Sequence, residues 1–436
     1  MTASFEKMLR LFALSACTGD ADGYPDDFIP DINEIKTVLT LADEQTVGRN
    51  VRAALLLLSA AGRAPAVTEN DRVVWKALIK TDIFAKLKHE DGQTAVLKAL
   101  KAKGIQAVTL KGTAAARFYK VPEYRLSVDT DIYVVHEDEE SALCVFRSLG
   151  FQVAPRTLFS NHSSCRSPEY GEYELHTSFY ADIIRNNVLC RENESDAVRE
   201  PFDEYEVYGA KRLSLGPTDA VCYMFAHFAG HFVNSGASIR QICDILLHIR
   251  YERRRIDFQR FLTSLDRWGF RSLYDVICSL GIHYLSFSLD ELPGCSAVSA
   301  DVFDMFIYDL EEGGWIGKKR ENSGEALRYF GLARAGDRKA YLKELKKYQK
   351  SRIAAAIFPP KERIAAKFSF IKKSALLLPV GWVCWLFYGL ALMKKGELSC
   401  SAPDSAREAD EVIRRRIMLF ESLMMIKERA EHDSEN

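Results

Sequence analysis

At 436 residues and 47% hydrophobic content, the chain is long enough for two or three domains and apolar enough for genuine cores, which excludes disorder as its general state. Its formal charge of −1 excludes nonspecific duplex binding by the whole molecule, so nucleic acid is not a favoured partner and charged ligands must be sought in local patches. Ten cysteines without a Cys-x-x-Cys pair, and an N-terminal stretch broken by Glu6, Lys7 and Arg10, predict reduced thiols in a cytoplasmic protein, with no structural zinc and no cleavable leader.

In chain order, the first predicted elements are helical. Val51–Leu58 and Val73–Leu100 repeat apolar residues at three and four, and Lys103-Gly104 supplies a helix stop. Ala107–Leu110 then reads as a strand, followed by the turn Lys111-Gly112-Thr113. Asp129-Thr130-Asp131 enters the apolar run Ile132–Val135, so strand alternation sends both carboxylates to one face. A solvated strand end would also account for two aspartates. Against that, a strand that becomes apolar directly after them makes the acids costly to place without a cation. Glu139–Leu149, closed by Gly150, predicts a helix on the sheet, Phe151–Val153 a return strand, and Ser163–Gly171 a polar loop. Tyr173-Glu174-Leu175-His176 then brings a third carboxylate on another short alternating segment. Asp129, Asp131 and Glu174 make a usual oxygen-ligand set for two Mg2+ (or Mn2+) ions, which would bridge triphosphate oxygens and stabilise an in-line displacement.

Thr218–His248 is predicted helical and carries His227 and His231, neighbours at i,i+4. They could hold a metal or line a substrate pocket, or simply be satisfied within a helix interface. Arg240 and Asp244 offer a phosphate contact with its orienting acid, or an i,i+4 ion pair. Helices rich in core aromatics follow over 256–292, with another near Val302–Leu310, and Gly313-Gly314-Trp315-Ile316-Gly317 reads as a turn because it lacks a strand-turn-helix setting. Between Arg338 and Lys373, twelve Lys and Arg face two Glu, a net +10. Ser374–Met393 is then uncharged between two lysine pairs. Three placements of that run stay open: a membrane interface, a span, or a helix buried in protein. The basic stretch fits anionic lipid, a nucleotide-facing surface or a solvated helix face. Ala402–Asn436 predicts an amphipathic helix with a frayed acidic end.

The stretch from about Ala99 to Phe179 resembles the nucleotidyltransferase superfamily with a DNA polymerase β-like palm. Within it, the likeness is to a bacterial family with a Leu-Lys-Gly turn, an Arg ahead of Asp-x-Asp and a later Glu-Leu-His. Lys111, Gly112, Arg125, Asp129, Asp131, Glu174 and His176 carry these motifs in order, and the likeness continues through the His-x3-His and Arg-x3-Asp segments to Leu378–Trp382. The resemblance implies an α+β fold, a small mixed-sheet palm flanked by N- and C-terminal α-helical regions. Its parts would be a helical region at 1–103, the palm at 104–216, a helical substrate-side domain at 217–335 and a basic, apolar helical region at 336–436. It implies catalytic and metal roles for Asp129, Asp131 and Glu174, and nucleotide binding by Lys111, Gly112, Thr113, Arg125 and Arg240. His176, His227, His231 and Asp244 would form a substrate pocket. The activity implied is transfer of an NMP from an NTP to an acceptor hydroxyl or amine, in a cell-surface polysaccharide or peptide-modification pathway at the inner membrane face. A tRNA-modifying toxin and a non-catalytic nucleotide-binding scaffold are the competing readings.

Overall fold

The computed structural model describes residues 1–127, 129–154, 162–177, 199–234 and 236–313, with short pieces at 364, 368, 377–385, 415–416 and 418–423. The chain divides into two compact units, Met1–Ser323 with Leu423–Met425, and Gly324–Ser422 with Ile426–Asn436. Of the second unit, 378–385, 415–416 and 418–422 are helical, and Ile364, Leu419 and Phe420 are buried. The basic stretch 338–373 (Ile364 and Phe368 apart), residues 374–376 and 386–393 of the apolar run, Gly314 and Gly317, and most of the C-terminal tail lie outside the described residues. Among the described residues no helix is long and apolar enough to cross a membrane.

The first unit opens with four helices: α1 (Ala3–Ala13), α2 (Ile35–Glu44), α3 (Gly48–Ala60) and the 34-residue α4 (Glu69–Ala102). In α1 the charges at Glu6, Lys7 and Arg10 are spaced to leave Phe5, Met8, Leu9 and Phe12 on a buried face. A capping box between Thr68 and Asp71 starts α4.

A seven-stranded mixed sheet follows, in the order β3-β4-β5-β2-β1-β7-β6. Its strands are β1 (Val108–Thr109), β2 (Asp129–Tyr133), β3 (Gln152–Ala154), β4 (His162–Ser167), β5 (Gly171–His176), β6 (Asp203–Val207) and β7 (Ala210–Ser214). Between strands lie the one-turn α5 (Thr113–Ala116) and α6 (Glu139–Ser148). The central pairs β2–β5 and β1–β7 are parallel, whereas β1–β2, β3–β4, β4–β5 and β6–β7 are antiparallel. One sheet face meets α4 and α6 in a core of Val96, Leu100, Ile132, Val134, Leu143, Phe146, Phe151, Cys165, Tyr173 and Leu175.

The sequence 163–171 is expected as a polar loop, but 162–167 is strand β4. Its serines and arginine are poor strand formers, yet full antiparallel pairing with β5 outweighs propensity, and Ser163 and Cys165 turn inward while His162, Ser164 and Arg166 turn to the opposite face. The β6–β7 hairpin also carries no recognisable turn pair in sequence. It closes through Tyr208 and Gly209, both at positive φ (51° and 70°), as a tight primed turn requires.

Five helices complete the unit: α7 (Pro217–Asn234), α8 (Ile239–Glu252), α9 (Phe258–Trp268), α10 (Arg271–Tyr284) and α11 (Ala300–Gly313). Phe225, Phe261, Phe270 and Tyr274 pack ring against ring between α7, α9 and α10.

Helix α4 also buries polar groups at 86, 90 and 93, one helical stripe. Glu90 and Gln93 both accept hydrogen bonds from Arg212 of β7 (2.6 Å each) and from the Thr113 hydroxyl (3.1 and 2.9 Å). Removing one partner strands a buried charge, so Glu90→Ala is expected to destabilise the protein by about 3–5 kcal/mol in a urea unfolding titration.

Candidate active site

The register of β2 against β5 sets Asp129 beside Glu172, Asp131 beside Glu174 and Tyr133 beside His176. Because side chains alternate, Thr130, Ile132, Tyr173 and Leu175 enter the core while Asp129, Asp131, Glu174 and His176 share the opposite face. Carboxylate oxygens of Asp129, Asp131 and Glu174 all lie within 4.8 Å of one another.

Lys111 reaches this cluster because Gly112 turns the chain at φ 71°, ψ −106°, a left-handed conformation that disfavours any side chain. Its ammonium lies 3.2 Å from Asp131 and 3.6 Å from Asp129, and donates to His227 Nε2 at 2.8 Å. Burial works against the Lys111 charge, but Asp131, Asp129 and Glu174 outweigh it and raise its pKa. His227 Nε2 also lies 3.0 Å from His231 Nε2. In a neutral His227 with Nε2 unprotonated, the single lone pair of that nitrogen accepts from the Lys111 ammonium, and His231 stands beside it. Burial and then Lys111 push both imidazoles down, His227 well below the usual range and His231 to about 4. The helix pair at 227 and 231 therefore faces the acids through Lys111.

His176 Nε2 stands 3.2 Å from Asp131 and 3.5 Å from Glu174. Burial opposes its charge, yet hydrogen bonding to the two acids lifts its pKa to about 9. Glu174 is pushed up by burial but held below the usual carboxylate range by His176 and Lys111.

The other expected residues serve the backbone around the acids. Arg125 makes a two-pronged ion pair with Asp244 of α8 (2.8 and 2.6 Å) and donates to Ser127 Oγ at 2.6 Å. Tyr119 donates to Asp244 at 2.8 Å, and Arg240 donates to the Leu126 carbonyl. Both arginines are buried, so they grip residues 125–127, the run-in to Asp129. Asp244 spends both oxygens on Arg125 across the fold, a long-range pairing that the i,i+4 spacing to Arg240 does not reveal. The Thr113 hydroxyl points to Glu90 and Gln93, away from the acids, which leaves the turn's backbone as its contribution to the acid face.

Local sequence gives no signal for Lys86, Glu90 and Gln93: they fall at i, i+4 and i+7, but Lys88, His89 and Asp91 between them are equally polar. Lys86 donates to the Arg125 carbonyl at 2.9 Å. His162 on β4 is likewise absent from the sequence expectations, and its Nε2 is 3.5 Å from Glu174.

Asp131 is fully enclosed, and its Oδ2 has no hydrogen-bond donor, only the Lys111 ammonium nearby. A buried carboxylate oxygen without a donor, grouped with two further carboxylates, is a fitting place for a hard divalent ion such as Mg2+ or Mn2+.

A mixed sheet with helices on its flanks makes this an α+β protein with three convergent carboxylates at the centre of the sheet. The chain belongs to the family described as uncharacterised nucleotidyltransferases, whose model matches residues 33–285. Among solved structures it is similar to the antibiotic-resistance factor ANT(2'')-Ia, at 13% identity and TM-score 0.30 over 47% of this chain and 98% of that one. It is also similar to a tRNA nucleotidyltransferase complexed with a primer tRNA and an incoming ATP analogue, at 15% identity and TM-score 0.21 over 74% of this chain and 99% of that one. No curated protein matches the sequence.

In metal-free protein, the raised His176 pKa stabilises the fold fully below its unfolded value near 6.5, and this stabilisation is lost as pH rises through about 9. Lys86, lowered to about 7 by burial and then Arg125, acts with the opposite sign over that range but cancels in a comparison of variants. Urea unfolding in chelator should therefore show the stability difference between wild type and His176→Asn shrinking from pH 6.5 to 9.

Proposed function

We propose that this protein transfers an NMP from an NTP to an acceptor hydroxyl or amine, releasing pyrophosphate, with Mg2+ or Mn2+ as cofactor. The observation that carries this reading is the convergence of Asp129, Asp131 and Glu174 on one sheet face within 4.8 Å. Bound there, divalent ions would neutralise triphosphate charge and favour departure of pyrophosphate. Asp129 and Asp131 hold the ions, and Glu174 completes the set. The Lys111 ammonium, 3.2 Å from Asp131, is tethered beside the place where phosphate charge must sit. The backbone of Gly112 and Thr113 lies at the same turn and binds phosphate oxygens. Arg125 and Arg240 position the strand that carries the aspartates. His227 and His231, neutral by burial, line the acceptor side on α7.

The four-part division at 103, 216 and 335 follows these roles, with 217–335 as the substrate-side domain and 336–436 as the membrane-facing part. Its net +10 over 338–373, and the half-exposed Val380 and Val383 in the following apolar run, support contact with an anionic membrane face and an acceptor of a cell-envelope pathway.

Pyrophosphate release from each of the four NTPs, with Mg2+ or Mn2+ and a cell extract supplying acceptors, tests the reading. Asp129, about a third exposed on its side chain, is the cleaner probe because the enclosed Asp131 also bears on stability. Asp129→Asn is expected to lower turnover by roughly a hundredfold or more while the thermal melt stays unchanged. Folded wild-type protein that binds NTP without releasing pyrophosphate would favour a nucleotide-binding scaffold instead.

A further inference from the structure

Antiparallel pairing of β4 with β5 places His162 opposite His176 and Ser164 opposite Glu174, so two imidazoles flank one carboxylate on the acid face. Glu174 turns one oxygen to each ring: Oε1 is 3.5 Å from His162 Nε2, and Oε2 is 3.5 Å from His176 Nε2. The three ligand atoms lie within 4.8 Å of one another.

These separations are long for charge-assisted hydrogen bonds, which run about 2.7–2.9 Å. They are close to the spacing of neighbouring ligands around one ion, since donors about 2.0–2.1 Å from a metal stand roughly 3.0–3.4 Å apart. Two imidazoles and one carboxylate are also the donor set of an open metal site, which keeps a position for water or substrate. His162 and Glu174 side chains stay 24% and 22% exposed, so the set is reachable from solvent, while His176 is buried.

We infer that His162, Glu174 and His176 form a second ion site for a divalent transition metal of borderline softness, such as Co2+ or Zn2+. Nitrogen donors separate this site from the all-oxygen set of Asp129, Asp131 and Glu174, which suits Mg2+. Glu174 belongs to both sets, so this ion would differ from those of the oxygen set and would share one carboxylate with them. On loading, the His176 contact with Asp131 Oδ1 gives way to the ion. The inference rests on reading the acid face as a metal centre, but not on nucleotidyl transfer itself.

The test is a titration of the full, metal-stripped chain with Co2+ alone, followed by its ligand-field absorption and by equilibrium dialysis. One Co2+ is expected to bind with a nitrogen-containing spectrum. His162→Ala and His162→Gln should each weaken that binding by about tenfold or more, a loss that even an outer-shell partner can cause. Asp129→Asn should retain it, because Asp129 belongs only to the oxygen set. His162 lies on a partly exposed strand face, and a thermal melt of each variant reports its folding directly. The inference is overturned if wild type binds no Co2+, if folded His162 variants bind it as wild type does, or if Asp129→Asn abolishes it equally. Nitrogen-ligated Co2+ without pyrophosphate release from any NTP would remove nucleotidyl transfer and leave this site standing. Turnover with Mg2+ and indifference of Co2+ to His162 would do the reverse.

Discussion

Parallel pairing of β2 with β5, in the register that sets Asp131 beside Glu174, decides which side chains meet in this molecule, because a slip of one residue would exchange the two faces of a strand. The apolar partners on the reverse face hold that register. Ile132, Tyr173 and Leu175 sit against α4 and α6, so moving the acids into the core would expose these side chains and bury charge at once. Packing on one face therefore fixes chemistry on the other.

Around the acids, buried charges are closed into pairs. Arg125 with Asp244 and Arg212 with Glu90 are each enclosed and short, at 2.6 Å. Such pairs return little net stability against a well-packed apolar alternative, yet breaking one is expensive. Their evident work here is geometric: one grips the residues leading into Asp129, and the other grips the helix stripe that receives Thr113. Lys111 offsets part of the charge of the acids by lying against them.

Local pattern made much of this legible. The Asp-x-Asp pair ahead of an apolar run gives a strand with two acids on one face, and β2 starts at Asp129. The apolar repeat through Val73–Leu100 gives α4, and the Gly150 stop gives the end of α6 within two residues. What escaped is what depends on partners far away in sequence. β4 has weak strand residues and exists through its ladder with β5. Lys86, Glu90 and Gln93 look like ordinary helix polar residues until Thr113, Arg125 and Arg212 arrive beside them. The partnership of Asp244 with Arg125 spans 119 residues, whereas spacing offers only the neighbour at i,i+4.

The bond from Arg212 to Glu90 closes a loop of 122 residues, and it has a consequence for the order in which the molecule matures. Helix α4 can form early from local contacts, and the turn at Lys111-Gly112-Thr113 follows it directly in sequence. Its anchorage is incomplete until β7 docks, since Glu90 and Gln93 hold Thr113 and Arg212 together. Contacts this remote carry a large loop-closure entropy and form slowly. During synthesis the lysine turn thus emerges about a hundred residues ahead of the strand that completes its support, and the acid face acquires its final geometry late, after most of the sheet has been made.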